Sequence, residues 1–419
     1  MEGTRPYMID SDENIPLNWI ETSEERLVTA AEGTRALIPM WEDLLKRKAA
    51  DPSMLFPRER IGVGKNLPMV MQINPNQQPL WRNPFEMQLG TGAAAIALGK
   101  LSSAQERLIA ALYKGIADQQ FPVVAKQLGL SKAEAESVVN AVGEVMLNEA
   151  PETKTKISLS DDFVTGAFAE IIRASLLHSV DGQQVLLGRA ERSIHIDSLG
   201  RAGLSIALGL AAAGIGHLVS DDNQKVDAEN LGPTGYPTQL KGHPRIDAVR
   251  SILAASPNKA MVSTGLKLSK TKQLKLDCAV LISQQATDPS RYATWMNKDI
   301  PHIVVTFDAE SVTISPMVIP GQSACLFCLE KMRTQQDSNW PVIATQLISS
   351  NKRFDDVASQ LFAAGIVVQK ILARADRVAG FDLAEENLSG FKLELATGLV
   401  TEYTWPKHSD CECLAADES

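Results

Sequence analysis

The sequence predicts an α/β protein with helices on both faces of its sheet, preceded by a small winged-helix domain. From about Ile194 onward, strand-like segments such as "SIHID" and "HLVSDD" alternate with helix-like segments such as residues 203–213. This alternation is typical of a parallel sheet, because each parallel connection needs a crossover and helices usually supply it. Upstream, three short extended segments precede three helical segments, which is the element order of a winged helix.

The winged-helix prediction depends on breaks and helix caps between residues 79 and 147. The stretch "PLWRNPFEMQLGTGAAAIALGKL" divides into three extended pieces at Asn83-Pro84 and at residues 90–92. The first helix is expected to begin at a capping box formed by Ser103 and Glu106, and the second covers "FPVVAKQLGL". The third helix begins at a capping box formed by Ser131 and Glu134.

The α/β region continues with a helix over residues 244–255 and with the strands "KAMVST" and "DCAVLIS". Two hairpins follow, "HIVVTFDAESVTISPMVI" and "FKLELATGLVTEYTW", with helices between them. The segment "DDFVTGAFAEIIRASLLHSV" predicts a single helix that connects the two regions. The predicted parts are a weakly ordered arm (1–76), the winged-helix domain (77–150), the connecting helix (151–190) and the α/β domain with its tail (191–419).

The composition describes a soluble globular protein and argues against nucleic acid as a partner. The 419 residues are 44% hydrophobic and 22% charged, and the formal net charge of −9 repels a phosphate backbone. Between residues 79 and 149, seven acidic residues stand against six basic ones. The N-terminus lacks a basic start followed by an apolar run, and the longest apolar stretch, 202–219, is typical of a buried helix and strand. We therefore expect a cytoplasmic protein with no membrane partner.

A glycine-containing turn follows the first strand of the α/β region. It reads Ser198-x-Gly200-x-x-Gly203 and opens a helix. Such a turn lets backbone N–H groups approach a phosphate at the positive end of the helix. The alternative is structural, because Gly203 also permits close packing of the helix on the strand.

Four of the five cysteines form two close pairs, Cys325 with Cys328 and Cys411 with Cys413. Cytosolic thiols stay reduced, so paired cysteines there are more often metal ligands or redox groups than disulfides. Four thiolates suit a tetrahedral structural zinc, with His408 as a nearby substitute ligand. An unligated cluster and a disulfide are the alternatives. Cys278 lies inside an apolar strand and is expected in the core.

The order of these motifs resembles the ThiF/MoeB family, whose fold is shared with ubiquitin-activating enzymes. The resemblance covers residues 194–413 and includes the glycine turn, "HLVSDDNQKVDAENL", "GHPRIDAV" and the first cysteine pair. It implies a Rossmann-like, ThiF-type mixed sheet, a zinc held by two distant cysteine pairs, a homodimer, and adenylation with ATP and magnesium. The residues matched to the nucleotide site are Ser198, Gly200, Gly203, Asp222, Asn230, Arg245 and Gln284.

Two positions that carry a charge in the family's nucleotide site are uncharged in this sequence. Gly232-Pro233 stand where the family has a triphosphate-binding arginine, and Gln284 stands where it has a magnesium-binding aspartate. Phosphoryl chemistry needs cations and metal ions to neutralise developing charge, so these replacements predict a vestigial or weak nucleotide site. Asp288 replaces the missing carboxylate if the register is shifted.

The stretches "CLFCLEKMRTQQDSNWPVIATQL" and "WPKHSDCEC" are similar to leader-peptide-binding partners of cyclodehydratases in azoline-forming ribosomal peptide pathways. That resemblance implies a precursor leader peptide as ligand, bound as an added strand beside the third helix, and a YcaO-type cyclodehydratase as partner. The candidate peptide contacts, each with a core role as the alternative, are Phe85, Met87, Leu89, Val138 and Val142. We expect a non-catalytic scaffold; the alternative is an active adenylyltransferase that acts on a ubiquitin-like carrier protein or a peptide.

Overall fold

The computed structural model describes residues 70–83, 86–92, 95–151, 157–257, 260–264, 275–381 and 388–413. Phe85 and nearly all of the predicted N-terminal arm lie outside these residues. The chain divides into two compact units, Met1–Leu147 and Asn148–Ser419.

The first unit contains a three-stranded antiparallel sheet, a short strand pair and three α-helices among its described residues. The sheet has the order β2-β3-β4, and the short pair joins β1 to β5. The strands are β1 (Val70–Met71), β2 (Pro79–Asn83), β3 (Glu86–Leu89), β4 (Ile96–Gly99) and β5 (Ile116–Ala117). The helices are α1 (Ser103–Lys114), α2 (Phe121–Gln127) and α3 (Lys132–Val142).

The caps of these helices follow the sequence prediction with one correction. The box of Ser131 and Glu134 forms at the start of α3. The box at the start of α1 uses Ser102 and Gln105, one residue earlier than predicted. Two adjacent serines stand at the start of the helix, and the backbone N–H of residue 105 donates to the hydroxyl of the first, Ser102, at 3.3 Å.

In its described residues, the second unit is built on an eight-stranded mixed sheet with the order β13-β12-β11-β10-β9-β6-β7-β8. The strands from β8 to β10 in that order run parallel, and both predicted hairpins form the antiparallel remainder. The strands are β6 (Ser193–Ile196), β7 (His217–Ser220), β8 (Met261–Thr264), β9 (Cys278–Gln284), β10 (His302–Phe307), β11 (Ser311–Ile314), β12 (Gly390–Glu394) and β13 (Val400–Tyr403).

Helices cover both faces of this sheet, as the sequence predicts. Along β9, Cys278 and Val280 belong to one hydrophobic core and Ala279 and Leu281 to another, because alternate residues of a strand face opposite sides. The first core contains residues of α7 (Arg201–Ala212), α8 (Arg245–Ala254) and α12 (Val357–Val378). The second contains residues of α9 (Pro289–Met296) and α10 (Leu326–Gln336), and α11 (Trp340–Ile348) lies next to α10.

The prediction of a single connecting helix is wrong, because the described helix is interrupted twice. Three helices occupy this region, α4 (Asp161–Gly166), α5 (Phe168–His178) and α6 (Gly182–Ala190). The first break is at Ala167, and the second follows Ser179, whose φ of 51° is left-handed. A left-handed residue cannot continue a right-handed helix, so the chain turns there and α6 packs back on α5.

Helix α12 is the one described helix that is long and apolar enough to cross a membrane by length and composition. It packs against α7, β10 and β11. Its inner face includes the fully buried Ala363, Val367 and Ile371. These contacts give it the position of a core helix of the α/β layer.

Candidate functional site

The glycine turn lies between β6 and α7, at the carboxyl end of the parallel strands, where open α/β sheets bind ligands. Two buried side chains hold it. The backbone N–H of Leu199 donates to the Asp222 carboxylate at 2.6 Å, and the Tyr236 hydroxyl donates to the Leu199 carbonyl at 2.6 Å. Burial raises the pKa of Tyr236 well above its usual range, so this hydroxyl keeps its proton and remains a donor.

The two glycines of the turn have different roles. A Cβ on Gly203 would lie 1.8 Å from the Ser198 carbonyl oxygen, so close packing of α7 on the turn excludes any larger residue. A Cβ on Gly200 would meet side-chain atoms only: Arg353 Nη2 at 3.1 Å, Ser198 Oγ at 3.7 Å and Arg245 Nη1 at 4.0 Å. Gly203 is therefore required by packing alone, whereas the space at Gly200 is taken by a charged side chain.

Arg245 is buried at the start of α8 and faces acidic groups of its own chain. Its guanidinium donates to Asn230 Oδ1 at 3.1 Å, to Asp222 at 3.4 Å and to Asp227 at 3.5 Å. Asp222 receives further N–H groups from Leu199 and Gln224. The two charged residues that the family resemblance assigned to the nucleotide thus bind each other.

Gln284 ends β9 and holds the loop between α11 and α12. We call residues 350–355 of this loop the strap. The Gln284 amide oxygen accepts the Phe354 N–H at 2.8 Å, and its amide nitrogen donates to Asp355 at 3.3 Å. Asp355 in turn accepts two hydrogen bonds from Arg353, at 2.9 and 3.2 Å. These bonds raise the pKa of Arg353 and fix its guanidinium over Gly200.

A cavity of about 230 Å³ lies between the glycine turn and the strap. It is below the roughly 300–1,000 Å³ that is typical of small-molecule pockets. Ser198, Gly200, Gly203, Arg245 and Gln284 line it together with Lys352, Arg353 and Asp355. The structure therefore brings five of the seven predicted nucleotide residues to one cavity, with Asp222 and Asn230 behind them on Arg245.

A second cavity, of about 480 Å³, shares Ser198 and Gln224 with the first and extends to Trp295. An ion pair between Asp197 and Arg291 lines its wall. Burial raises the pKa of Asp197, although Arg291 opposes that shift.

Three residues of the site were missed by sequence reasoning: Tyr236, Arg353 and Asp355. Asp288, the predicted substitute for the missing carboxylate, instead caps α9 by accepting the Ser290 N–H. The carboxylate beside Gln284 comes from the strap. Only the charged run "NKRFDD" directly before an apolar helix signalled this segment.

The four paired cysteines meet at one point of the second unit. The sulfur–sulfur distances are 3.9 Å for Cys325 to Cys328, 3.6 Å for Cys325 to Cys411 and 3.5 Å for Cys328 to Cys413. A zinc ion bound tetrahedrally at about 2.3 Å from each sulfur needs sulfur–sulfur distances of about 3.8 Å. The geometry fits the metal, and the four Sγ atoms lie within 4.8 Å of one another.

The surroundings of the cysteines also fit a structural role. Burial raises the pKa of the Cys325 thiol, so a metal has to displace a proton there. The Trp405 indole N–H donates to the Cys325 carbonyl at 3.0 Å and ties the tail to the core. The His408 ring accepts the Asp410 N–H instead of joining the sulfurs.

In the first unit, the described candidate peptide contacts are buried. Met87, Leu89, Val138 and Val142 are at most 5% exposed and pack in one core with Leu108 and Leu112. This burial favours the core role that the sequence had left open for them.

The fold of the second unit is the ThiF-like fold, and the comparisons with solved structures bear this out. E. coli MccB with AMPCPP and MccA matches at a TM-score of 0.60 and 11% identity, covering 82% of this chain and 99% of that one. E. coli MccB with ATP matches at a TM-score of 0.58 and 12% identity, covering 83% and 100%. PaaA matches at a TM-score of 0.51 and 18% identity, covering 68% and 95%. The predicted ThiF-type fold is thereby confirmed.

No protein-family profile matches the chain, and no curated protein matches it. The likeness is therefore one of fold.

Proposed function

We propose that the protein is a leader-peptide-binding scaffold in a ribosomal peptide modification pathway, with a ThiF-like domain that does not adenylate a substrate. One observation carries the second half of this proposal. Both arginines of the glycine-turn cavity are paired with carboxylates of the same chain, Arg245 with Asp222 and Arg353 with Asp355. A triphosphate needs net positive charge at such a site, and here that charge is already neutralised.

Gln284, which stands where the family has its magnesium-binding aspartate, supports the same conclusion. The Gln284 side chain makes hydrogen bonds to the strap through both its oxygen and its nitrogen. An amide brings no negative charge to attract magnesium, which is usually bound through one or two carboxylates and substrate phosphates. Residues 232–235, where the family arginine is missing, form a tight turn closed by the Gly235 N–H on the Gly232 carbonyl.

The peptide half of the proposal comes from the first unit and from the structural neighbours. The microcin C7 biosynthetic enzyme MccB has been solved in complex with N-formylated MccA. The first unit has the three paired strands β2 to β4 ahead of its three helices, the order from which the sequence predicted a winged helix, and among the described strands β4 pairs only with β3. Helix α3 packs beside β4. We propose that the leader adds to the outer edge of β4 and rests against α3, with main-chain hydrogen bonds supplying affinity.

Hydrogen exchange measured with and without a candidate precursor peptide, chosen from short reading frames near the gene, tests this binding mode. The outward amides of Ile96–Gly99 should become protected when the peptide adds as a strand. Strand β2, the opposite edge of the same sheet, serves as the internal control and should not change. Protection at β2 alone, or at neither edge, contradicts the proposal.

An ATP–pyrophosphate exchange assay tests the catalytic half. The purified chain with magnesium, ATP and the precursor peptide should give no exchange above background. Exchange at a measurable rate means that the domain is an enzyme. The cysteine cluster supplies no step in this scheme: a zinc held by Cys325, Cys328, Cys411 and Cys413 would stabilise the tail.

An active adenylyltransferase is the second candidate, favoured by the MccB structures with ATP and AMPCPP and by the exposed Lys352 at the cavity. In that case Gly200, Gly203, Asp222 and Arg245 would contact the nucleotide. Isothermal titration with magnesium-ATP separates the candidates, since micromolar affinity supports the enzyme and no heat supports the scaffold. A YcaO-type partner, a homodimer and a cytoplasmic location stay predictions; sedimentation at 45.4 kDa alone would contradict the dimer.

A further inference from the structure

The strap has a position that the proposed scaffold function does not by itself require. It lines the same cavity as the first turn of α7, whose leading backbone N–H groups have no partner within the helix. Arg353 is fixed there by two hydrogen bonds to Asp355, and Asp355 is fixed by Gln284. A surface loop with no role at the cleft would not need a buried carboxylate, and the Asp355 side chain is only 4% exposed.

We propose that the strap is an autoinhibitory closure of the glycine-turn cleft, in which Asp355 holds Arg353 over Gly200 and so keeps phosphate-bearing anions out. The inference rests on the proposed function and specifies how the cleft is kept free of nucleotide. Three features combine in this closure: Arg353 fills the space beside Gly200, Asp355 cancels its charge, and Gln284 anchors the pair to the sheet.

The charges of the strap predict which change would let an anion bind in the cleft. With Asp355 ionised, the cleft presents a neutral pair to an approaching anion. Without that charge, Arg353 and Lys352 both line the cavity beside the positive end of α7, and Arg353 keeps only the weaker influence of Asp227 and Glu229. Removing one carboxylate should therefore both loosen the strap and convert the cleft into an anion site.

The test compares Asp355→Asn with Asp356→Asn. Both change an aspartate to its amide, but Asp356 is the N-cap of α12, where asparagine caps equally well, and it makes no contact with Arg353. Hydrogen exchange at residues 201–203 reports the covering of the turn, and titration with metal-free pyrophosphate reports anion binding.

Asp355→Asn should speed exchange at 201–203 about tenfold or more and bind pyrophosphate at least about tenfold more tightly than the unaltered chain, since a charge-assisted pair is lost. Asp356→Asn should change neither quantity. A folded Asp355→Asn protein that matches the unaltered chain in either measurement overturns the proposal.

Arg353→Ala provides an independent check, because this side chain is 33% exposed and its loss should not prevent folding. It removes the cover without adding an uncompensated cation. Exchange at 201–203 should therefore speed up while pyrophosphate affinity does not rise; unchanged exchange contradicts the closure. Neither result depends on the peptide assay. ATP turnover by the unaltered chain would refute the scaffold function, but the hydrogen-exchange and pyrophosphate measurements on the variants could still be interpreted.

Discussion

Replacing Asp376 by asparagine should destabilise the second unit more than any surface change of the same kind. Asp376 lies on α12 with its side chain 1% exposed, and it accepts hydrogen bonds from Arg189 on α6 at 2.7 and 2.7 Å and from His178 on α5 at 3.0 Å. The asparagine keeps the shape but leaves the 5% exposed Arg189 without a counter-charge. Breaking a buried pair in this way costs about 3–5 kcal/mol.

The matched control is Asp247→Asn. Asp247 also pairs with an arginine, Arg250, but the two side chains are 53% and 46% exposed. Solvent-exposed pairs contribute about 0–1 kcal/mol, so this variant should unfold at nearly the same urea concentration as the unaltered chain. Hydrogen exchange of α12 across a urea series follows the second unit alone. If Asp376→Asn and Asp247→Asn lowered the free energy of unfolding by the same amount, the buried ion pair would stabilise the protein no more than the exposed one, and the prediction would be wrong.

The same carboxylate predicts how stability depends on pH. Burial alone would raise the pKa of Asp376, but the hydrogen bonds from Arg189 and His178 outweigh burial and lower it. A lowered pKa in the folded state stabilises the protein above the unfolded value, about 4, and this contribution is lost as pH falls through the folded value. The difference between the unaltered chain and Asp376→Asn should therefore be full at pH 7 and shrink below about pH 4.

Three further predictions concern the metal and the glycine turn. Cys328→Ser should lower the zinc content, measured by atomic absorption, from one per chain and should speed proteolysis of the C-terminal tail. Cys278→Ser is the control and should retain the metal. Equal zinc content in the two variants contradicts a metal site at the four cysteines. Gly203→Ala should cost about 1–3 kcal/mol in urea denaturation because its Cβ meets a backbone oxygen, whereas Gly143→Ala, with open space around it, should be neutral. Tyr236→Phe should cost about 1–3 kcal/mol, since it leaves a buried carbonyl without its donor; no change in the same assay would mean that water replaces the hydroxyl.

Features that depend on neighbouring residues were predictable from the sequence. The strand, turn and helix around Gly200 and Gly203 form a local pattern, and so does the capping box at Ser131. The meeting of the two cysteine pairs was predictable for a different reason, because two close pairs of thiols are a common ligand set for a structural metal. The error at Ser102 has a local cause as well, since two adjacent serines offer the same cap.

Features that depend on distant contacts were not predictable. The strap reaches Gln284 from 70 residues away in sequence, and nothing in the spacing of Arg353 and Asp355 indicates that they cover a turn near residue 200. The same limit applies to Met87 and Val138, whose apolar character fits both a core and a peptide contact. Burial separates those roles, and burial is a property of the assembled fold.

The glycine turn illustrates why a retained signature does not by itself retain a function. Gly203 is held by a 1.8 Å clash that any β-carbon would meet, so packing of α7 preserves it whether or not a phosphate ever binds. Gly200 is under no such constraint, because the atom nearest to its Cβ position, Arg353 Nη2 at 3.1 Å, belongs to a side chain and not to the backbone. Gly200 is therefore the residue whose identity would matter to a bound phosphate, and in this protein an arginine of the chain has taken that place. Under the proposed scaffold function, the packing around Gly203 is therefore sufficient to keep the shape of the turn without a bound phosphate.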